Sequence, residues 1–294
     1  MTLSAPTLAA LARAGLDPVA VEALARRTIE EDLDGGVDVT SVATVPFDLE
    51  GVAAFVPRSA GVVAGTAVAM ACLDVVADAD LDWRVVRADG PAEAREPVLE
   101  VRGLIRTLLT AERSALNLLC HLSGVATLTA RWVAEVDGTG ARIRDTRKTT
   151  PGLRALEKYA VRVGGGVNHR MSLSDAALVK DNHVIAAGGV AAAFEAVRAA
   201  FPGVAVEVEC DTVEQVHEVV AAGADLILLD NMTDAELRAC VEVCRAAGTR
   251  TEASGGLDLE RARAVAETGV DFLSVGGLTH SAPVLDLGLD LRMA

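Results

Sequence analysis

The spacing of apolar residues in the first third of the chain predicts helices next to a set of short strands. Residues 17–33 repeat apolar side chains at helical intervals, and they begin with Asp17 and Pro18, a capping residue and a residue favoured in the first turn. Short strand-like runs lie between residues 50 and 106, with a helical insert over 67–77. This order predicts an α+β unit built around an antiparallel sheet.

A long apolar stretch, residues 110–136, follows at helical spacing. We expect one helix there, with a kink at Gly124. The leucines that surround Arg113 are too apolar for a free surface, so this helix should be buried on most sides. On these grounds alone, Arg113 could pair with its neighbour Glu112 or with another local acid.

The second half of the chain repeats a different unit, in which an apolar strand-like run is followed by helical sequence. Such runs occur near residues 180, 207, 228, 253 and 275, and a further short one covers 141–145. The intervals from Glu209 to Asp230, from Asp230 to Ser254 and from Ser254 to Gly276 are 21, 24 and 22 residues, which fits one strand and one helix each time. We therefore expect a parallel α/β barrel. An open doubly wound sheet remains the alternative, because periodicity alone does not separate the two.

Composition limits the class of protein. The 294 residues are 51% hydrophobic but only 3% aromatic, which predicts an interior of Ala, Val and Leu. A formal net charge of −15 argues against nucleic-acid binding. The pattern predicts neither a signal peptide nor a membrane span. The cysteines are odd in number and lack a C-x-x-C pair, so we expect buried free thiols in a cytoplasmic protein: Cys72, Cys120, Cys210, Cys240 and Cys244.

Positive charge is concentrated in one segment of this acidic chain. Residues 141–183 contain nine Lys or Arg against four acids, and all three lysines of the chain lie there. For Arg154, Lys158 and Arg162 we expect the solvated face of an amphipathic helix. The other prominent cations, Arg147, Lys148, Arg170 and Lys180, fall near predicted strand ends or after the glycines 164–166. They predict a site for a small, highly charged anion.

Polar or glycine residues also follow each apolar run of the second half. In a parallel barrel the carboxyl ends of the strands carry the active site. Glu209 and Asp230 would suit a Mg²⁺ that bridges ligand phosphates, although either acid could instead cap a helix. The glycine pairs 255–256 and 276–277 would allow backbone amides to approach a phosphate. The chain has no nucleophile elbow, P-loop, zinc spacing or dinucleotide fingerprint, so the predicted site is electrostatic.

These motifs resemble those of a known family, quinolinate phosphoribosyltransferase, also called nicotinate-nucleotide pyrophosphorylase (carboxylating). The resemblance is carried by EDLDGGVDVTS (31–41), LTAERSALNLLCHLSGVAT (109–127), RDTRKTTPGLRALEKYAVRVGGGVNHR (144–170), LVKDNH (178–183), EVE (207–209), LLDNM (228–232), EASGGL (252–257) and VGGLTHS (275–281). It departs from the family at LDGGVD, where LGxGD is more frequent, and at VGG, where VGA is common.

The resemblance implies a fold and an activity. The fold would be of the α/β class. Residues 1–116 would form an N-terminal α/β sandwich with an antiparallel sheet, which the tail 283–294 would join. Residues 117–282 would form an incomplete TIM-like barrel. The activity would be transfer of phosphoribosyl from 5-phosphoribosyl 1-pyrophosphate (PRPP) to quinolinate with decarboxylation, giving nicotinate mononucleotide, pyrophosphate and CO₂. A relative with another pyridine substrate, or a silent anion-binding regulator, remains the alternative.

The resemblance also implies roles for single residues. Quinolinate would be bound by Arg113, Arg147, His169, Arg170 and Lys180, with Arg113 supplied by the partner subunit of a homodimer. Lys148, Glu209 and Asp230 would be catalytic, and the two acids would hold Mg²⁺ together with PRPP. The phosphates would be bound by Thr146, Lys148, Ser254, Gly255, Gly256, Gly276 and Gly277.

Overall fold

The computed structural model describes residues 3–78 and 80–294, which divide into two units, each with its own sheet. The first unit comprises Met1–Leu128, Ala155–Gly164 and Ser281–Ala294, and the second comprises Thr129–Arg154 and Gly165–His280. The strands are β1 (Glu50–Pro57), β2 (Gly61–Val63), β3 (Asp82–Val85), β4 (Gly90–Ala92), β5 (Leu99–Leu104), β6 (Arg142–Arg144), β7 (Ala177–Val179), β8 (Val206–Cys210), β9 (Leu226–Asp230), β10 (Arg250–Ser254), β11 (Phe272–Ser274) and β12 (Leu287–Met293). The helices are α1 (Ala5–Ala14), α2 (Pro18–Leu33), α3 (Val39–Thr44), α4 (Thr66–Asp74), α5 (Ile105–Glu135), α6 (Arg154–Val163), α7 (Asp181–Ala187), α8 (Val190–Ala200), α9 (Val213–Ala221), α10 (Asp234–Ala247), α11 (Ala262–Ala266) and α12 (Gly277–His280).

The first unit has the predicted antiparallel sheet, in the order β12-β1-β5-β3. Helix α2 begins as expected, with the Asp17 side chain accepting a hydrogen bond from the backbone N–H of Val19 at 3.0 Å. Its buried face carries apolar side chains at the predicted helical spacing, namely Val21, Leu24, Ala25 and Ile29. Strand β12 comes from the far end of the sequence and pairs with β1 from Leu287 opposite Pro57 to Met293 opposite Gly51. The first unit is therefore assembled from distant parts of the chain.

Helix α5 runs unbroken for 31 residues, so the expected kink at Gly124 does not interrupt it. Glycine is needed there for a close approach, because a Cβ at Gly124 would lie 2.2 Å from the carbonyl oxygen of Pro283. Among the described residues no single helix is long and apolar enough to span a bilayer. Helices α7 and α8 meet that test only as a pair, and they are bent by 87° relative to each other.

Helix α6 corrects one expectation about the cations. Arg162 is exposed, but Lys158 and its neighbour Glu157 are completely buried, so the prediction of a solvated face is wrong for Lys158. Residues 156–161 are all buried, apolar and charged side chains alike. The Glu157 carboxylate lies 2.8 Å from His121 Nε2. The burial of Lys158 cannot be read from an amphipathic pattern.

The second unit confirms the incomplete barrel. Its six strands are all parallel, in the order β6-β11-β10-β9-β8-β7. From β7 to β11 each strand pairs with the preceding one, as in a barrel, whereas a doubly wound sheet reverses its order near the middle. The barrel does not close, since no pairing joins β6 to β7 in the described chain. This order brings six carboxyl ends to one edge of the sheet.

Candidate active site

A cavity of about 290 Å³ lies at the carboxyl edge of the parallel sheet. Its cationic side chains follow β6 and β7 in the sequence, while two serines come from the last residues of β10 and β11. Leu178 and Leu228 add apolar surface. The complete lining is Thr146, Arg147, Lys148, His169, Arg170, Leu178, Lys180, Leu228, Ser254 and Ser274. An anionic ligand with an apolar body would match this lining.

Most of the residues singled out in the sequence meet around this cavity. The lining includes Thr146, Arg147, Lys148, His169, Arg170, Lys180 and Ser254. Glu209 and Asp230 lie at the ends of the adjacent strands β8 and β9, and the glycines 255–256 and 276–277 follow β10 and β11. Arg113 is not among the lining residues; it is an exposed residue of α5 in the first unit.

Two guanidinium groups of the lining have unsatisfied nitrogens. Arg170 donates from Nη1 to the carbonyl oxygen of Ala176 at 2.8 Å, but the buried Nε atoms of Arg147 and Arg170 have no hydrogen-bond partner. Burial lowers the pKa of Arg170, and the neighbouring charge of Arg147 lowers it further. Because buried donors are normally paired, this geometry favours an anion with several acceptor oxygens.

Two buried carboxylates lie close to His169. Glu207 of β8 and Glu252 of β10 are buried, and Glu252 forms an ion pair with Arg144. The His169 Nε2 atom lies 2.8 Å from Glu207 Oε2 and 3.7 Å from Glu252 Oε1. We refer to Arg144, His169, Glu207 and Glu252 as the buried ionic cluster.

The buried ionic cluster fixes the tautomer of His169. The backbone N–H of Arg170 donates to His169 Nδ1 at 2.7 Å, so in the neutral ring the proton lies on Nε2 and points to Glu207. Both ring nitrogens are therefore engaged within the protein. The ligand atoms of His169, Glu207 and Glu252 lie within 4.8 Å of one another, close enough for a cation, and the Arg144 guanidinium already supplies positive charge there.

Burial and mutual repulsion perturb the two acids of this cluster. Burial raises the pKa of Glu207. The pKa of Glu252 is raised to about 7, first by burial and then by the Glu207 carboxylate, against the opposing effects of Arg144 and His169. Sequence reasoning missed Glu207, Glu252 and Arg144. The usable signal was strand alternation, because Glu207 shares a face with Glu209, and Glu252 shares one with Ser254.

The two acids at the strand ends are differently placed. Lys180 Nζ forms an ion pair with Glu209 Oε2, and Asn231 Nδ2 donates to Asp230 Oδ2 at 2.6 Å. The second oxygen of each carboxylate takes part in no hydrogen bond of the described residues. Two carboxylates with one available oxygen each form an incomplete ligand set, which suits a hard cation that takes further oxygen ligands from a phosphate or from water.

Glycines allow close packing in the turns that follow β10 and β11. Gly255 has a φ of +87° and a Cβ there would lie 2.3 Å from Asn231 Oδ1. A Cβ on Gly276 would lie 2.9 Å from Lys148 Cδ, so this glycine makes room for the lysine. Thr279 secures the same lysine, since its Oγ1 donates to the Lys148 carbonyl oxygen at 2.6 Å. Thr279 is a further residue that the sequence reasoning did not identify.

Comparisons with known proteins agree in both units. The sequence model of the quinolinate phosphoribosyl transferase C-terminal domain matches residues 125–290, and that of the N-terminal domain matches residues 38–123. The nicotinate-nucleotide pyrophosphorylase (carboxylating) of Mycobacterium leprae is 52% identical over 271 residues, which cover 90% of this chain and 95% of the relative. A probable nicotinate-nucleotide pyrophosphorylase (carboxylating) of Bacillus subtilis is 42% identical over 244 residues, or 82% of this chain and 84% of the relative. The crystal structure of NadC from Streptococcus pyogenes superimposes with a TM-score of 0.90 at 37% identity, covering 95% of this chain and 99% of that one.

Proposed function

This chain belongs to the quinolinate phosphoribosyltransferase family, and we propose that the cavity of its parallel sheet is the active site. The enzyme transfers phosphoribosyl from PRPP to quinolinate, with loss of CO₂, and forms nicotinate mononucleotide and pyrophosphate for NAD biosynthesis. The main support for placing the active site in this cavity is that the buried Nε atoms of Arg147 and Arg170 have no hydrogen-bond partner, in a cavity lined by four cations.

Quinolinate is bound through its two carboxylates by Arg147, Arg170 and Lys180. A guanidinium gives directional, bidentate contacts to a carboxylate, whereas an ammonium acts as a point charge. His169 supports Arg170, because its ring accepts a hydrogen bond from the Arg170 backbone N–H and is itself held by Glu207. The apolar ring lies against the leucine surface of the cavity.

The reaction needs little proton transfer from the protein. The pyridine nitrogen has a free lone pair, so no general base is required to make it a nucleophile. As the bond from ribose C1 to pyrophosphate breaks, negative charge grows on the leaving group, and Lys148 stabilises it. The new cationic ring then accepts the electron pair of the breaking bond to the 2-carboxylate, CO₂ leaves, and a proton from solvent completes the product.

We assign the phosphates of PRPP to the glycine turns after β10 and β11, together with Thr146, Ser254 and Lys148. Gly255 and Gly256 have positive φ angles, a backbone conformation that other residues rarely adopt. Glu209 and Asp230 would hold Mg²⁺ with PRPP. When bound, the metal supplies charge neutralisation of the pyrophosphate leaving group.

We expect Mg²⁺ to bind with PRPP and only weakly without it. Two carboxylates, one of which is already paired with Lys180, make a poor cage for a cation that prefers six oxygens. Titration calorimetry with MgCl₂ alone should give little heat, and the same titration with PRPP present should give a clear isotherm. Tight Mg²⁺ binding in the absence of PRPP would contradict the assignment.

We also propose that the protein is a homodimer with shared active sites, in which Arg113 of each subunit reaches the active site of its partner. Arg113 is exposed on a helix whose neighbouring leucines 116, 118, 119 and 122 are buried, so the long side chain is available to a second chain. Arg113→Ala and Lys148→Ala should each be inactive alone. If sites are shared, mixing them under subunit exchange places both defects in one site of a mixed dimer and none in the other.

At full random exchange, about a quarter of wild-type activity should then return, for independent sites in a twofold dimer. If Arg113 acts within its own chain, every site keeps one defect and mixing restores nothing. Arg13→Ala mixed with Lys148→Ala serves as the matched control, because Arg13 is a surface residue of α1 without an assigned role; the mixture should only average the two activities.

One assay tests the function itself. Protein is incubated with quinolinate, PRPP and Mg²⁺, and nicotinate mononucleotide, pyrophosphate and CO₂ are measured. Nicotinate replaces quinolinate in a parallel reaction and should be used poorly, since it lacks the second carboxylate. No product from either acid would identify a silent anion binder, and equal use of both would contradict the proposed carboxylate site. We place the reaction in the cytoplasm, because the five cysteines are free thiols.

A further inference from the structure

The turn after β9 contains an unusual backbone conformation next to the cavity. Asn231 has a φ of +54°, which lies in the left-handed backbone region that residues other than glycine seldom adopt. Asparagine tolerates this region better than most residues, yet a left-handed residue is kept only where the surrounding contacts hold it. The residue directly follows Asp230, which points to a role for its side chain.

The contacts of Asn231 join the ends of two neighbouring strands. Its backbone N–H donates to the Ser254 carbonyl oxygen at 3.0 Å, across from β9 to β10. Its side-chain Nδ2 donates to Asp230 Oδ2 at 2.6 Å. Its Oδ1 lies so close to Gly255 that a Cβ there would be only 2.3 Å away. Asn231 thus touches both a proposed metal ligand and the proposed phosphate turn.

We propose that Asn231 is a positioning residue for PRPP, which locks the Asp230 carboxylate and the Ser254–Gly255 turn into one fixed geometry. This inference rests on the proposed function. Because the Asn231 amide holds Oδ2 of Asp230, the other carboxylate oxygen is directed to the cation. The rotation of the Asp230 carboxylate is already restricted before the ligand binds. The backbone bond to Ser254 keeps the phosphate turn at a set distance from that carboxylate.

The left-handed φ makes a clean experiment possible. Asn231→Gly keeps the backbone conformation at no steric cost and removes only the side chain. Asn231→Asp keeps a residue that tolerates the left-handed region, but its carboxylate cannot donate to Asp230 and repels it instead. Asp34→Gly is the matched control, since Asp34 also has a positive φ, of +45°, and lies in the first unit with no part in the cavity.

Isothermal titration calorimetry measures the binding of PRPP in the presence of Mg²⁺. The protein is first saturated with benzene-1,2-dicarboxylate, which has the two carboxylates of quinolinate but no ring nitrogen to react. Loss of a hydrogen bond to a charged group should weaken PRPP binding about tenfold or more in Asn231→Gly. Asn231→Asp should weaken it further, and Asp34→Gly should bind as the wild type does.

Binding of benzene-1,2-dicarboxylate alone separates positioning from general damage. It should change less than about twofold in both Asn231 variants, since these contacts lie on the PRPP side of the cavity. Unchanged PRPP binding in Asn231→Gly, or an equal loss of dicarboxylate binding, would overturn the inference. A wild-type protein that binds no PRPP at all would instead refute the proposed function, so the two failures are distinct.

Discussion

Replacing Arg170 with alanine is expected to reduce kcat/KM for quinolinate by at least about 30-fold, at 1.4 kcal/mol per tenfold change. The cavity presents three cations to two carboxylates, and truncating one partner of a desolvated charge pair typically costs about 2–5 kcal/mol. Arg170 also carries one of the two unpartnered buried nitrogens. Steady-state kinetics with quinolinate varied at saturating PRPP measure the effect.

Two companion variants make this result specific. Arg170→Lys keeps the charge but loses the planar fork, so its loss should be intermediate. Arg142→Ala removes an exposed arginine of the same basic segment at the amino end of β6, away from the cavity edge, and should have nearly wild-type kinetics. A KM for PRPP that rose as much as the KM for quinolinate in Arg170→Ala would show that the assignment to quinolinate is wrong.

Replacing Glu252 with leucine should lower the free energy of unfolding of the second unit by about 3–5 kcal/mol, because it leaves a buried charge without its partner. Arg144 is only 16% exposed and stacks over the Phe272 ring at 4.8 Å, so water is a poor substitute for the lost carboxylate. Urea unfolding measures the effect through Trp132, a buried residue of the second unit. A Trp83→Phe background removes the other tryptophan of the chain.

The double variant Arg144→Met with Glu252→Leu is the control for this mechanism. Removing both charges together should recover much of the lost stability, since an apolar pair has no desolvation penalty. If the double variant is as unstable as the sum of the single variants, the effect comes from packing and the ion pair is not its cause.

Glu252→Gln tests the protonation of the cluster. The folded-state pKa of Glu252, about 7, lies above its ordinary value of 4.5, so the folded protein binds a proton that the unfolded chain has released. The wild-type free energy of unfolding should therefore fall, relative to this variant, as pH rises from 4.5 to 7. The difference is on the order of 3 kcal/mol, at 1.36 kcal/mol per pKa unit. The free energy of unfolding of the Glu252→Gln variant should still depend on pH to some extent, because the pKa of Glu207 is also raised.

The sequence predicted the cavity residues because of a property of parallel sheets. Residues that directly follow the strands must meet at one edge, whatever the details of packing. Arg147, Lys180 and Ser254 were found in this way, and so was the position of Asp230. The same reasoning gave the strands and their parallel arrangement, since a repeat of one strand and one helix has few other solutions.

The residues that were missed depend on contacts across the fold. Glu207 and Glu252 lie inside strands, and only the pairing of β8, β9 and β10 reveals that both carboxylates meet His169. Lys158 was predicted to be solvated because its spacing fits an amphipathic helix, yet residues 156–161 of α6 are all buried. The role of Asn231 depends on a backbone angle and on its distance to Gly255, and neither has a pattern in the sequence.

Strand β12 has a consequence for how the chain is made on the ribosome. Synthesis proceeds from the amino end, so the edge of β1 that β12 covers emerges early and waits unpaired through translation of more than two hundred residues. The strands of the parallel sheet all emerge before β12 and can pair among themselves. Thus the first unit completes its sheet only after the strands of the second unit have emerged, and until β12 emerges a nascent chain exposes an open strand edge to chaperones or to other nascent chains.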